Sequence, residues 1–409
     1  DLYGMHWPFK QHKTSRNIKT LPHHDNLKSF GACFGVSGGY ERPMWFALDG
    51  EKTEYEYSYN YQTWYPSAEY ETNNTVKNVG LFDLTPFSKF EIKSDKAHQE
   101  LQKICTANIK NEPGKCVYTH MLNSDGGIET DLTVVCVDKD HFRIISSAAT
   151  RERDKFHINK YLSKNIELKD ITDDLCVFGL FGPKSRDLLK TLSEDNFEND
   201  QFRFGFAKFI SIDGVKIWTQ RLSYVGELGY ELYVDIKEAK KIYELLIEKG
   251  KDFNLSNCGM HAMDIMRMES GFLHWGHDIS PEENQYQAGL AFTISNKKDV
   301  DFIGKQALEK IKQDKVKTRF SMFTLKESEP GKPLLLHDEP IYDGEKIIGR
   351  STSGNYSFNF KKNLVFGYIK NDLSNDELKS KNLFIEVEKK KYPIIAQSGP
   401  LKRTDFKNL

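Results

Sequence analysis

Apolar positions along this chain fall into short runs of two kinds, some spaced for strands and some for one face of a helix. Between Cys116 and Val135 two β-rich runs flank Asn123-Ser124-Asp125-Gly126-Gly127, a cluster of turn formers. Val, Ile, Thr and Tyr suit a pleated surface and Gly tolerates the positive φ of a tight reversal, so the stretch predicts a β-hairpin. Asp131 falls inside its second strand, where Asp is normally depleted; it either faces water or is used. Side chains alternate faces along a strand, so loop length decides how Tyr118 and Asp131 are related. An even loop puts both on one face and an odd loop separates them.

The same reading continues on either side. A strand near Lys89–Ile92 leads to a helix from about Asp95 to Ala107, with Ser94 as N-cap, and a strand near Phe142–Ser146 leads to a polar helix from Thr150 to about Leu162. A second unit begins near Leu175, with a helix from Pro183 to Leu192 and strands Phe206–Ile212 and Val215–Thr219 around Asp213-Gly214. Gly226 and Gly229 mark a loop feeding a strand to Val234, and helices run from Glu238 to Lys249 and from Met260 to Ser270. The β-α-β-β rhythm recurs, which hints at a duplicated α+β fold. Beyond a short helix from Gly304 to Lys312, turn signals at Gly331-Lys332-Pro333, Asp343-Gly344 and Ser351 to Asn355 read as a small barrel or sandwich. Residues 1–45 lack a clean period. Their Tyr3, His6, Trp7, Phe9, Phe30 and Phe34 suggest an extended arm draped over a folded body. No element is assigned to the Tyr- and Glu-rich stretch from Glu54 to Tyr70.

Bulk properties narrow the function. At 409 residues the chain exceeds one ordinary core. Its 58 basic and 59 acidic side chains nearly cancel, so no global field gathers nucleic acid or an anionic membrane. No apolar run approaches the ~20 residues of a membrane span. Cys33, Cys105, Cys116, Cys136, Cys176 and Cys258 are scattered without a Cys-x-x-Cys pair, which predicts reduced, buried thiols in a cytosol-like compartment. The N-terminus lacks a secretion-signal layout, and the absence of an opening Met points to a trimmed chain or a piece of a longer one. His23-His24 has no supporting cluster and reads as loop, so no metal site is assigned. Dinucleotide and phosphate loops, a Gly-x-Ser-x-Gly elbow and a His-Glu-x-x-His helix are all absent.

What remains are charges that strands and buried helices would resent. Glu231, placed near the mouth of a sheet, is either an edge-strand charge or a carboxylate able to accept two parallel N–H donors from a planar heterocycle. Arg267 and Glu269 on an apolar helix suit an intrahelical or interdomain ion pair.

Tyr118-x-x-Met-Leu with Gly126-Gly127 and Asp131-Leu132, Ser-Ala-Ala-Thr-Arg-Glu at 147–152, Tyr-x-Gly-Glu-x-Gly-Tyr-Glu at 224–231, Arg-Met-Glu-Ser-Gly at 267–271 and Asp-Phe-Ile-Gly-Lys-Gln-Ala-Leu at 301–308 come in the order seen in glycine-cleavage T-proteins. The chain resembles that aminomethyltransferase family from about Val79 onward. Tyr-Gly-Met-His-Trp-Pro at 3–8, Gly-Tyr-Glu-Arg-Pro-Met-Trp-Phe at 39–46 and His-Trp-Gly-His-Asp-Ile-Ser-Pro at 274–281 look like the folate-binding C-terminal half of dimethylglycine and sarcosine dehydrogenases. The resemblance implies an α+β cloverleaf: an arm (1–45), two ferredoxin-like α+β domains (46–83 plus 175–290, and 84–174) and a C-terminal barrel (291–409) around a central folate hole. It implies tetrahydrofolate as cofactor, with FAD only on an absent domain or partner subunit. An amine or iminium donor and a flavin dehydrogenase domain or subunit are the implied partners, and the location is cytoplasmic, or the mitochondrial matrix in a eukaryote. Carried over by position, Asp131 is the essential, catalytic acidic residue near folate N10, Tyr118, Tyr224 and Arg267 contact folate, and Glu231 anchors the pterin. With an ordinary pKa of ~3.9, Asp131 is expected to be ionised without tuning. T-proteins proper carry Ala-Arg-Asp where this chain has Ala262-Met263-Asp264, a departure that favours the dehydrogenase-linked branch over a lipoyl-dependent enzyme. A non-catalytic folate-binding module is the remaining alternative.

Overall fold

The computed structural model describes residues 6–372 and 374–409, so Tyr3 of the arm lies outside the described residues. Two sheets are built on one plan. Leu175–Phe181, the helix Ser185–Leu192, strands Ala207–Ile212, Val215–Gln220 and Gly229–Asp235, the helix Ala239–Gly250 and the strand Leu255–Cys258 follow in order. Ser88–Lys93, Ala97–Ile104, Cys116–Leu122, Ile128–Asp138, His141–Ser146, Arg151–Tyr161 and Leu168–Asp170 repeat that order. Numbered within each unit, the strands lie side by side as 2-3-4-1-5 in both, with Val79–Asp83 inserted before the last strand of the first sheet. The hinted duplication is therefore one of topology, carried without matching residues.

Each sheet buries one face under its two helices. Leu188, Leu189, Ile242 and Leu246 pack on the first, and Leu101, Ile104 and Ile158 on the second. A third apolar cluster lies between the sheets, drawing Phe82, Val177, Trp218 and Tyr233 from one and Cys116 and Val135 from the other. The sheets are also tied through backbone, Cys116 N donating to Gly205 O at 2.9 Å and Ala207 N to Gly114 O at 2.6 Å. The third body is a closed barrel, in the order Thr318–Leu325, Lys362–Lys370, Lys346–Ser357, Pro340–Asp343, Leu383–Val387 and Lys390–Gln397.

Three expectations need correction. The described residues of the expected arm, 6–45, are not simply extended. A helix, His24–Ser29, and a hairpin, Ala32–Ser37 with Tyr40–Phe46, sink Leu27, Tyr40 and Phe46 into the first unit's core. Ser351–Asn355 does not break a strand but lies inside Lys346–Ser357, where a bulge between Ser351 and Ser353 absorbs the polar run. The helix Tyr65–Lys77 has no hydrophobic signature because its buried positions include Ser67, Glu71, Thr72, Asn74 and Thr75. Glu71 is there to satisfy backbone: it accepts from Phe46 N at 2.7 Å and Gly259 N at 2.8 Å.

Candidate functional site

The central hairpin pairs Cys116–Leu122 with Ile128–Asp138, closing through five loop residues at Leu122↔Ile128. That odd loop alone would send Tyr118 and Asp131 to opposite faces. The ladder then shifts, pairing Met121 with Thr130 and leaving Glu129 as an extra residue. A one-residue bulge flips every later side chain, so Asp131 returns to the face of Tyr118. Arg153 fixes the bulge by pairing with the Glu129 carboxylate and backbone oxygen, while Trp275 Nε1 donates to Ile128 O at 3.1 Å. Gly127 lets the tip seat: a Cβ there would lie 1.9 Å from Pro281 O.

On the shared face the Tyr118 hydroxyl donates to Asp131 Oδ2 at 3.2 Å. Burial pushes the Asp131 carboxyl up to about 6; the Tyr118 hydrogen bond opposes this and the Asp154 charge adds to it. The expectation of an untuned carboxylate is thereby corrected: one sequence position says nothing of how many protein atoms will surround it. Tyr118 is 39% exposed, yet enclosure pushes its phenol well above the ordinary range.

Glu231 is the third residue of Gly229–Asp235, a strand flanked on both sides, with Gln220 and Gly179 directly across from it. It is therefore mid-strand and away from any sheet edge. Tyr233 Oη donates to Glu231 Oε2 at 2.9 Å, and burial raises the carboxyl to about 7. Directly paired residues share a face. Gln220 is fully buried there, and neither end of its amide has a hydrogen-bond partner among the described residues. Burial raises the Cys116 thiol and the nearby Glu231 charge adds to it, which places Glu231 beside the strand that carries Tyr118. Cys116 and Tyr118 point the same way, about 7 Å apart at two residues' rise. The two acids thus flank one strand face.

The loop after Gln220 and the helix Met260–Glu269 bring further groups towards these residues. Tyr224 Oη donates to Leu273 O at 2.7 Å, and its ring stacks on Phe272. Tyr224 interacts electrostatically with Tyr118, Asp131, Asp264, Asp278 and Arg267. Arg267, expected at folate, is 2% exposed at its side chain, and its fork is engaged by protein. Nε donates to Asp264 Oδ1 (2.8 Å), Nη1 to Phe272 O (3.1 Å) and Asp278 Oδ2 (2.6 Å), and Nη2 to Ser353 Oγ (2.9 Å). It pairs with Asp264 on its own helix and with Asp278, and reaches the barrel through Ser353. Glu269 also holds this helix to the barrel, accepting from Ser357 Oγ at 2.6 Å. Met263, the position that departs from Ala-Arg-Asp, is buried in the apolar cluster between the sheets.

Sequence reasoning missed His120, Gln220 and Gln285. Alternation alone puts His120 on the face of Tyr118, and a polar residue closing the strand run 215–219 was the available sign of Gln220. Nothing local marks Gln285, which reaches His120 from 165 residues away.

Two family profiles match, the GCVT N-terminal domain over residues 23–298 and the glycine cleavage T-protein C-terminal barrel domain over 319–401. The chain belongs to the glycine cleavage T-protein family. Among relatives of this T-protein-family chain, 4-methylaminobutanoate oxidase (formaldehyde-forming) of Paenarthrobacter nicotinovorans is 37% identical over 356 residues, 87% of this chain and 43% of that protein. Mitochondrial dimethylglycine dehydrogenase of Rattus norvegicus is 32% identical over 374 residues, 91% of this chain and 43% of the relative. The chain thus spans under half the length of these two proteins. The crystal structure of the glycine cleavage system aminomethyltransferase T of Bartonella henselae superposes with a TM-score of 0.79 at 21% identity, covering 95% of this chain and 99% of that one. The T-protein fold follows from that likeness. Among the described residues no helix is long and apolar enough to cross a membrane, and all six cysteines are free and buried.

Proposed function

We propose that this chain accepts the one-carbon unit released when an N-methylated, glycine-type amine is oxidised, and delivers it to tetrahydrofolate as 5,10-methylenetetrahydrofolate. The observation that carries this reading is the pair of enclosed carboxylates flanking one strand face, Asp131 held by Tyr118 and Glu231 held by Tyr233. Tetrahydrofolate supplies two amine nitrogens that together hold a one-carbon bridge. The Glu231 end suits a pterin edge. A carboxylate there accepts paired N–H donors, and the unpartnered Gln220 amide offers one donor and one acceptor to the same ring system. At the other end Asp131 takes the proton lost by the weakly basic N10 and offsets the positive charge that builds there. A carboxyl near 6 is a better base than an ordinary one and is still ionised at neutral pH. The stacked Tyr224 and Phe272 offer an aromatic face to such a ligand, and Arg267 holds Phe272 in place through its carbonyl oxygen.

The names of the oxidase and dehydrogenase relatives support an N-methyl amine as the source, with the flavin chemistry on another domain or a partner subunit. The buried free thiols fit a reducing compartment such as the cytosol or the mitochondrial matrix. The lipoyl-dependent reaction of glycine cleavage is the second reading, favoured by the Bartonella henselae likeness and weakened by Met263. The deciding assay follows methylene-folate formation from tetrahydrofolate with a dehydrogenase-generated iminium, in parallel with an aminomethyl-lipoyl carrier. Acceleration over uncatalysed condensation with the first donor is expected. Turnover with the carrier alone would transfer the assignment to the second reading, and tight folate binding without turnover would leave a binding module.

A further inference from the structure

Directly across the ladder from Asp131 stands His120, which the transfer chemistry above does not use. Its ring is fully buried, and burial lowers its pKa to about 3, so it is neutral and carries one ring proton. The neighbours decide which nitrogen holds it. Thr293 Oγ1 lies 3.0 Å from Nδ1, and that hydroxyl's single proton is engaged 2.7 Å away at Leu290 O, an atom able only to accept. Thr293 therefore presents a lone pair to His120. The Gln285 amide has two protons, and Thr106 Oγ1 at 2.9 Å and Thr293 Oγ1 at 3.1 Å both lie closer to it than His120 Nδ1 at 3.3 Å. Nδ1 is thus the donor and Nε2 the bare acceptor. The Tyr118 hydroxyl is 3.3 Å from Nε2 and 3.2 Å from Asp131 Oδ2. One phenolic proton faces two acceptors at nearly equal range.

We propose that His120 is a positioning residue whose Nε2 gives the Tyr118 proton a second acceptor, so that the phenol donates to Asp131 while that carboxylate is ionised and turns to His120 once Asp131 has been protonated. No net proton reaches His120. An N–H bond of the substrate breaks, an O–H bond forms on Asp131, and the new Asp131 hydroxyl donates to the Tyr118 oxygen. Tyr118 keeps its own proton and changes only its acceptor. The charge-assisted bond favours the first arrangement, and in the second every donor is matched. Asp154, from the helix Arg151–Tyr161, and Tyr224, from the loop after Gln220, also face this pair, but neither forms a hydrogen bond with the Tyr118 hydroxyl among the described residues. The acceptor stabilises protonated Asp131 and so raises its apparent pKa. This inference rests on Asp131 being the base.

The test combines the pH profile of methylene transfer with ¹⁵N NMR of the ligand-free chain labelled at histidine. In the spectrum, the signal lost in His120→Gln identifies His120, and its Nε2 is expected to be the unprotonated nitrogen. In kinetics, His120→Leu should move the acid limb down by about half to one pH unit, the size one hydrogen bond supports. His120→Gln, which keeps an acceptor in reach, should return the limb towards wild type. A protonated Nε2 overturns the proposal, as does an unmoved or upward-moving limb in a His120→Leu protein that still binds folate. If His120→Leu does not fold, Thr293→Val carries the same test, because without that lone pair Gln285 can donate to Nδ1 and the ring proton shifts to Nε2, again lowering the limb. Wild-type transfer by Asp131→Asn would sink the base assignment itself. An unshifted limb beside an inactive Asp131→Asn sinks the role of His120 alone.

Discussion

Replacing Asp131 by Asn should make this protein more stable and far less active, and both effects follow from enclosure of one carboxyl. The folded chain holds that group at about 6 against an ordinary 3.8. A gap of about two pH units corresponds to ~3 kcal/mol, at ~1.36 kcal/mol per unit, set against the ionised form. Asp131 is only half-buried and solvent screens part of this, so ~1–2 kcal/mol is the expected gain, a few degrees in the thermal midpoint. The sign depends on pH. An acid whose pKa is raised on folding binds more protons folded than unfolded between about 4 and 6. Its contribution is therefore intact at low pH and is lost as pH rises through about 6. Asn never ionises, so its advantage should be absent near pH 4 and full above pH 7. Thermal scans at pH 4 and pH 7.5 read the stability, and single-turnover transfer at saturating folate reads the chemistry. Transfer should fall ~10²-fold or more while folate still binds. An equal gain at both pH values would refute the burial argument, and undiminished transfer would remove Asp131 from the reaction.

Glu231→Gln should weaken folate binding roughly 10- to 100-fold, the scale of charge-assisted hydrogen bonds, with bound-state transfer changed only a few-fold. Because burial holds Glu231 near 7, wild-type affinity should also decline as pH drops below neutrality; equilibrium titrations of both proteins at pH 6 and 8 check this, and equal affinities would count against the anchor. Arg267→Met strands Asp278, whose side chain is 0% exposed, and should cost about 3–5 kcal/mol of stability by denaturant titration; a loss below ~1 kcal/mol would mean that the cross-link to the barrel contributes little. Gly127→Ala drives a Cβ onto Pro281 O and should cost ~1–3 kcal/mol while slowing transfer as the hairpin tip shifts; an unchanged thermal midpoint would show that the loop yields freely.

The sequence by itself determined the local elements, because strand alternation, helix periodicity and turn chemistry are properties of a few neighbouring residues. The Asp213-Gly214 hairpin follows directly, with both residues at positive φ. The ordered motifs that resemble T-proteins also singled out Asp131 and Glu231 before any packing was known. Tertiary structure decided the rest. Tyr118 and Asp131 share a face only because a bulge at Glu129, clamped by Arg153 and abutting Trp275, reverses what the loop length dictates. The helix Tyr65–Lys77 was invisible because most of its buried side chains are polar, and Glu71 and Asn74 find partners distant in sequence. Arg267 became a cross-link and Asp131 a tuned acid for the same reason: desolvation and hydrogen bonding are set by everything that surrounds a group, and most of that comes from remote parts of the chain.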